Sequence, residues 1–190
     1  MSERIVNVHE AEYNGKHFRS TLEMKTAQAL DALGIEYAYE EKKITLLEGF
    51  YSPFQKDKVR AITYTPDFMI GHIMLECKGF ETPEWKIKKK LVFKWLQENE
   101  PQTIFYQIHD ARKSLMEVLD KHLNELGYQI VVTKKLTKKK EEVSKKYPSI
   151  KEALKDLNLK GRLLGSILAS LTGSKVYVLG YNWKIEKINL

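Results

Sequence analysis

The sequence predicts an α/β fold, a mixed sheet with helices packed against it. Three observations carry this. Over residues 1–133 the apolar spacing switches between a helical and a strand period, in the order helix, three strands, helix, strand, helix, strand. Helix starts carry capping residues, and glycines stand where elements end. The hydrophobic share is 43%, enough to build a core, against 30% charged residues.

"RSTLEMKTAQALDALGIEY" reads as a helix followed by a strand. Ser20 caps it, Leu22, Thr26, Ala29, Leu30 and Leu33 form its stripe, and Gly34 ends it. "IEYAYEEKKITL" is strand-like, and residues 47–60 read as loop. Strands over 63–70 and 73–78 follow, joined by Gly71-His72 as a two-residue turn. Thr82-Pro83 opens the next helix, because threonine caps and proline suits a first turn. Its expected stripe is Ile87, Leu91 and Trp95, with Val92 and Leu96. "TIFYQIH" is a strand, "DARKSLMEVLDKHLNELG" a capped helix and "YQIVVT" a strand that closes the first domain at Thr133.

Residues 134–146, "KKLTKKKEEVSKK", hold seven lysines against two glutamates. They read either as a solvated linker or as a tether that contacts phosphates. Residues 147–190 form a small unit of two helices and a short hairpin, and Ser149 and Glu152 make a capping box for its first helix.

Composition bounds the function. The net charge of +7 admits nucleic acid or an anionic surface as partner. A lone cysteine, Cys77, excludes an internal disulfide and a cysteine-based zinc site. The five histidines lack i, i+4 metal spacing. No apolar run approaches the roughly 18 residues of a membrane span, so the expected setting is cytoplasmic and reducing.

The hairpin over 63–80 concentrates the chemistry. Side chains alternate along a strand, so Glu76 and Lys78 share one face while Ile73, Leu75 and Cys77 share the other. With Gly71-His72 as the turn, Ile70 pairs with Ile73, Met69 with Met74 and Phe68 with Leu75, which sets Asp67 opposite Glu76. Two carboxylates about 5 Å apart repel by roughly 3 kcal/mol at an effective dielectric near 20. Lys78 offsets part of this, and a hard divalent cation would offset more. An exposed hairpin face with an ordinary Glu-Lys pair remains the alternative. Glu23 stands in line with Ala27 and Leu30, yet Ser20-x-x-Glu23 is itself a capping box. Cys77 is expected in the core. Lys86, Lys89, Lys90 and Lys94 mark the next helix either as a solvated face or as a phosphate-contacting one.

Pro66-Asp67, eight residues, then Glu76-Cys77-Lys78 resembles the PD-(D/E)XK nuclease superfamily. With "FRSTLE", "YTPDF" and "ECKGF" in this order and spacing, residues 15–133 resemble the phage endonuclease I type of Holliday junction-resolving enzymes. The resemblance implies a restriction-endonuclease-like mixed sheet and a magnesium-dependent DNA endonuclease, with manganese able to substitute. It places metal-binding acids on Asp67 and Glu76, a further ligand on the Cys77 main-chain carbonyl, the catalytic lysine on Lys78 and the helical glutamate on Glu23. The partner it implies is DNA in a bacterial or phage-infected cell, and it leaves a homodimer open. "SIKEALKDLNL" and "GYNWK" resemble the modular DNA-binding domains attached to phage and intron nucleases, with Lys160, Arg162, Ser166 and Ser170 left to face a partner. A dimer contact or plain core would equally use that apolar second helix. Branched DNA follows from the catalytic half, a homing-type targeted site from the tail, and a non-catalytic DNA-binding module is the rival reading.

Overall fold

The computed structural model describes residues 9–54, 56–135, 142–159, 164–171, 177–178 and 180–188. In chain order the elements are β1 (Ala11–Tyr13), β2 (Lys16–Phe18), α1 (Thr21–Ala32), β3 (Ala38–Tyr39), β4 (Ile44–Leu47), β5 (Phe50–Tyr51), β6 (Lys58–Val59), β7 (Ile62–Tyr64), β8 (Phe68–Ile70) and β9 (Ile73–Cys77). There follow α2 (Pro83–Asn99), β10 (Ile104–Ile108), α3 (Lys113–His122), β11 (Tyr128–Lys135), β12 (Glu142–Tyr147), α4 (Ile150–Asp156), α5 (Leu164–Leu171) and β13 (Tyr181–Lys187). The fold is mixed α/β with several small sheets.

The chain forms two compact units, one from Met1–Glu36 with Asp110–Leu190 and the other from Tyr37–His109. The boundary expected after Thr133 falls inside β11 instead. That strand pairs antiparallel with β12 on one side and with β13 on the other. The lysine-rich segment expected as a linker is therefore bounded by paired strands; residues 136–141 lie outside the described residues. The reason is in β11 itself: Ile130 and Val132 alternate on one face and need a covered sheet, which the tail supplies through Trp183, opposite Val132. Trp183 is buried, and its indole N–H donates to the Val178 carbonyl at 3.3 Å.

In the first unit α1 begins as expected. Ser20 is its N-cap and accepts from the Glu23 N–H at 3.2 Å, and Gly34 leaves the helix with φ +66°. Glu23, Thr26, Ala27 and Leu30 are its buried face. Asp110 starts α3, its Oδ1 accepting from the N–H groups of Arg112 and Lys113 at 2.9 and 2.6 Å. Those two backbone donors hold its carboxyl below the usual range, Lys113 first. Ser149 caps α4 as expected, accepting from the Glu152 N–H at 3.2 Å. The first N–H of that helix, on Ile150, donates to the buried Asp120 carboxylate at 2.6 Å, which ties α4 to α3. Ser170 of α5, expected to face a partner, is buried beside Ile167 and Leu171.

The second unit holds a four-stranded sheet in the order β10-β9-β8-β3. β8 runs antiparallel to both β3 and β9, and β10 joins β9 in parallel. A parallel neighbour needs a crossover, and α2 is that crossover. Ile44, Tyr64, Met74, Trp85, Val92 and Leu96 form the core between α2 and the strands. The buried stripe of α2 is thus Trp85, Val92 and Leu96, and Ile87, expected within it, is 65% exposed. Trp85 outcompetes it because a fully covered indole removes far more apolar surface from water than an isoleucine. The stretch read as loop over 47–60 contains the short β5–β6 hairpin, Phe50 opposite Val59 and Tyr51 opposite Lys58.

Candidate functional site

The expected β8–β9 register is the observed one. Phe68 pairs with Leu75, Met69 with Met74 and Ile70 with Ile73, with Gly71 at φ +55° in the turn. Every residue of β9 is buried, since α2 covers one face of a strand that has neighbours on both sides. Glu76 is consequently a buried carboxylate, which must find donors or shed its charge.

It finds two. The Tyr64 hydroxyl donates to Glu76 Oε2 at 2.8 Å, and the Lys78 ammonium lies 2.9 Å from Oε1. The side chain of Lys78 is 34% exposed and that of Glu76 5%, so the ammonium sits where the buried carboxylate meets solvent. Beneath it, the Trp85 ring centroid lies 4.8 Å from Nζ, a cation–π contact that restricts the lysine's rotamers. The backbone is held as well: the Lys78 N–H donates to the Ile108 carbonyl at 2.9 Å, and the Lys78 carbonyl accepts from His109 Nδ1 at 2.6 Å. A carbonyl only accepts, so that nitrogen carries the ring proton.

Asp67 sits just beyond the paired end of the hairpin. Its carboxylate turns to the backbone and accepts the Cys77 N–H at 2.6 Å, while its carbonyl accepts the Glu40 N–H at 3.1 Å. Asp67 and Glu76 thus each have their own donors. They still converge on Tyr64. Burial pushes that phenol well above its ordinary value, and next come the charge of Glu76, the bond to it, and the charge of Asp67. Tyr64 accordingly stays protonated and keeps donating across the physiological range. Cys77 is buried, as expected.

Glu40 is a site neighbour that sequence reading passed over. One of its carboxylate oxygens lies within 4.8 Å of one of Asp67. Its φ is +52°, the left-handed region, which costs a non-glycine residue on the order of 1 kcal/mol. Tyr64, Trp85 and Gln107 were passed over too. Gln107 is the β10 residue paired with Glu76, and its Oε1 faces Trp85 Nε1 at 3.5 Å and Lys89 Nζ at 3.3 Å. Tyr64 and Trp85 read as ordinary core aromatics, and only the three-dimensional arrangement turns their polar or π faces toward Glu76 and Lys78.

The other expected residues divide. Glu23 belongs to the first unit, where it is buried and completes the α1 cap: its Oε2 accepts the Arg19 N–H at 3.1 Å and its Oε1 the Ser20 hydroxyl at 2.7 Å. On α2, Lys86, Lys90 and Lys94 are exposed. Lys94 pairs with Glu98 at 3.4 Å, a solvated i, i+4 pair of small worth. Lys89 is instead bound to Glu81, whose carboxyl that bond holds below its usual range. Lys88, which was not singled out, places its ammonium 5.8 Å from the Tyr64 ring centroid. Lys160 and Arg162 lie outside the described residues. No helix among the described residues is long and apolar enough to cross a membrane.

The Tyr64–Glu76 bond sets a test of this arrangement. Tyr64→Phe is expected to destabilise the protein by about 1–2 kcal/mol, since a buried charged acceptor loses a donor. Urea denaturation of both proteins measures it; an unchanged midpoint would mean that the phenol does not support Glu76.

Compared with protein-family models, curated proteins and solved structures, the chain matches none.

Proposed function

We propose that this protein is a magnesium-dependent DNA endonuclease that hydrolyses phosphodiester bonds. The observation that carries the reading is the buried Glu76 carboxylate paired at 2.9 Å with a half-exposed Lys78 two residues along, beside Asp67. Burying an acid on a central strand is unfavourable for folding, and such groups commonly mark functional sites. The sheet order β10-β9-β8-β3 with its α2 crossover is compatible with a restriction-endonuclease-like core.

The donor set suits magnesium, with manganese able to replace it. Asp67, Glu76 and the Cys77 carbonyl offer only hard oxygen atoms, and the Glu40 oxygen within 4.8 Å of Asp67 adds negative charge that a cation would offset. When bound, the cation supplies Lewis acidity toward a phosphate oxygen and a more acidic water. Lys78, as an ammonium, would orient the attacking water and stabilise negative charge growing on the phosphate. Trp85 holds the ammonium in place for that role, and Tyr64 fixes the Glu76 carboxylate. Lys86, Lys90 and Lys94 extend the cationic surface along α2 toward the DNA backbone.

The test is cleavage of plain duplex, nicked duplex and a four-way junction, each with magnesium and with EDTA. Metal-dependent cleavage is expected. Absence of cleavage on all three with either magnesium or manganese would overturn the reading. Preference for the junction selects a resolving enzyme, and cutting of duplex at a defined sequence selects a targeted one.

Asp67→Asn gives a second check. Asparagine keeps an oxygen for the Cys77 N–H but removes the charge that Glu40 repels. Without metal the variant is expected to melt a few degrees above wild type, the gain being on the order of 1 kcal/mol. Magnesium should raise the wild-type melting temperature by mass action and the variant's much less. Equal magnesium shifts would mean that Asp67 is not a ligand.

A further inference from the structure

From the β5–β6 hairpin we infer a binding element for unpaired bases, which stack on its exposed rings. Phe50, Tyr51 and Phe54 are 47%, 78% and 94% exposed. Scattered exposed aromatics are ordinary, but three within five residues of one short hairpin call for a partner. Lys56, Lys58 and Arg60 follow them on the returning side of the hairpin against the single acid Asp57, so residues 49–60 carry three cations minus one anion, a net +2. Exposed rings beside cations are the means by which proteins hold single-stranded nucleic acid: bases stack on rings and phosphates pair with cationic groups. The pairing of Tyr51 with Lys58 across the two strands sets that lysine 5.8 Å from the tyrosine ring centroid, so ring and cation act side by side.

The geometry separates this partner from a protein or a membrane. Phe50 and Tyr51 are consecutive on a strand and point to opposite faces, and Phe54 lies in the connection between strands. No single apolar face results, as a lipid surface or a packed protein interface would need. A base has two π-faces and stacks on a ring from either side. In a duplex those faces are covered by neighbouring base pairs, so the occupant is DNA with unpaired bases, as at a branch point, a nick or a single-stranded tract. At the root of the hairpin, Gly49 permits the strands to close: an added Cβ would meet the Val59 carbonyl at 3.0 Å and the Ala61 nitrogen at 3.2 Å.

This rests on the endonuclease reading for its choice of nucleic acid, but its test does not depend on cleavage. Fluorescence anisotropy in EDTA would compare a labelled 20-mer of thymidine with a 20-base-pair duplex for the full-length wild type and for Tyr51→Ala/Phe54→Ala. Both side chains are largely exposed, so the variant should fold, which its melting temperature verifies. Its affinity for the single strand is expected to fall about 10- to 100-fold, with duplex affinity within about threefold. Phe54→Trp should retain single-strand binding. Unchanged single-strand affinity in the double variant would overturn the inference. So would equal losses on both DNAs, or a wild type that prefers duplex, or one whose hairpin variant loses self-association or vesicle binding instead. If no DNA is cut yet single-strand binding follows the prediction, the hairpin assignment stands and the endonuclease reading falls. Cleavage with unaltered single-strand binding gives the converse.

Discussion

Deleting residues 134–190 is expected to unfold the unit built from residues 9–36 and 110–188. The cut removes both neighbours of β11, leaving a strand with unpaired edges and the buried Ile130 and Val132 uncovered. Losing Trp183 alone from a core costs about 3–5 kcal/mol. Each sheet hydrogen bond adds about 0.5–1.5 kcal/mol, and the buried Asp120 carboxylate loses the Ile150 N–H. Against a total stability of about 5–15 kcal/mol, these losses leave nothing to hold that unit. Circular dichroism and urea titration of the fragment 1–133 provide the measurement. An insoluble fragment, or one whose helical signal corresponds to α2 without α1 and α3, is the expected result. A cooperative transition with the full chain's helicity over the shared residues would mean that β11 folds without its partners. A cleaner fragment, 37–109, retains the cluster of Ile44, Tyr64, Met74, Trp85, Val92 and Leu96.

Lys78→Ala is expected to lower DNA cleavage by at least about a thousandfold, or roughly 4 kcal/mol of transition-state stabilisation. DNA affinity should stay within about tenfold, since one cation among many adds little to phosphate binding. Removing the ammonium also leaves the buried Glu76 with the Tyr64 hydroxyl as its side-chain donor among the described residues of this unit, so melting temperatures must accompany the rates. Lys78→Met keeps an apolar stem against Trp85 and should be equally inactive while folded. Single-turnover cleavage and EDTA binding titrations supply the two numbers. Wild-type cleavage by either variant would remove Lys78 from the reaction.

Local chemistry made much of this protein legible in the sequence. The caps at Ser20, Thr82 and Ser149 form because a short side-chain oxygen satisfies a backbone N–H that the first helical turn leaves unpaired. The β8–β9 register follows from a two-residue turn and strict alternation, which is why the neighbourhood of Asp67, Glu76 and Lys78 could be read before any coordinates. Those rules act over a few residues. Long-range competition set the rest. Which face of α2 is buried depended on Trp85 outweighing Ile87 against the sheet, and which strands flank β11 depended on residues some 50 positions away. The partners of Glu76 belong to the same class: Tyr64 reaches it from β7 and Lys78 is steadied by α2, so the buried acid's stability is set by elements that the local pattern around it does not name. Asp67 illustrates the limit most sharply. Alternation alone set it in line with Glu76, but that its carboxylate accepts the Cys77 N–H follows from the closed hairpin, where a charged acceptor meets a backbone donor, and no side-chain pattern names it.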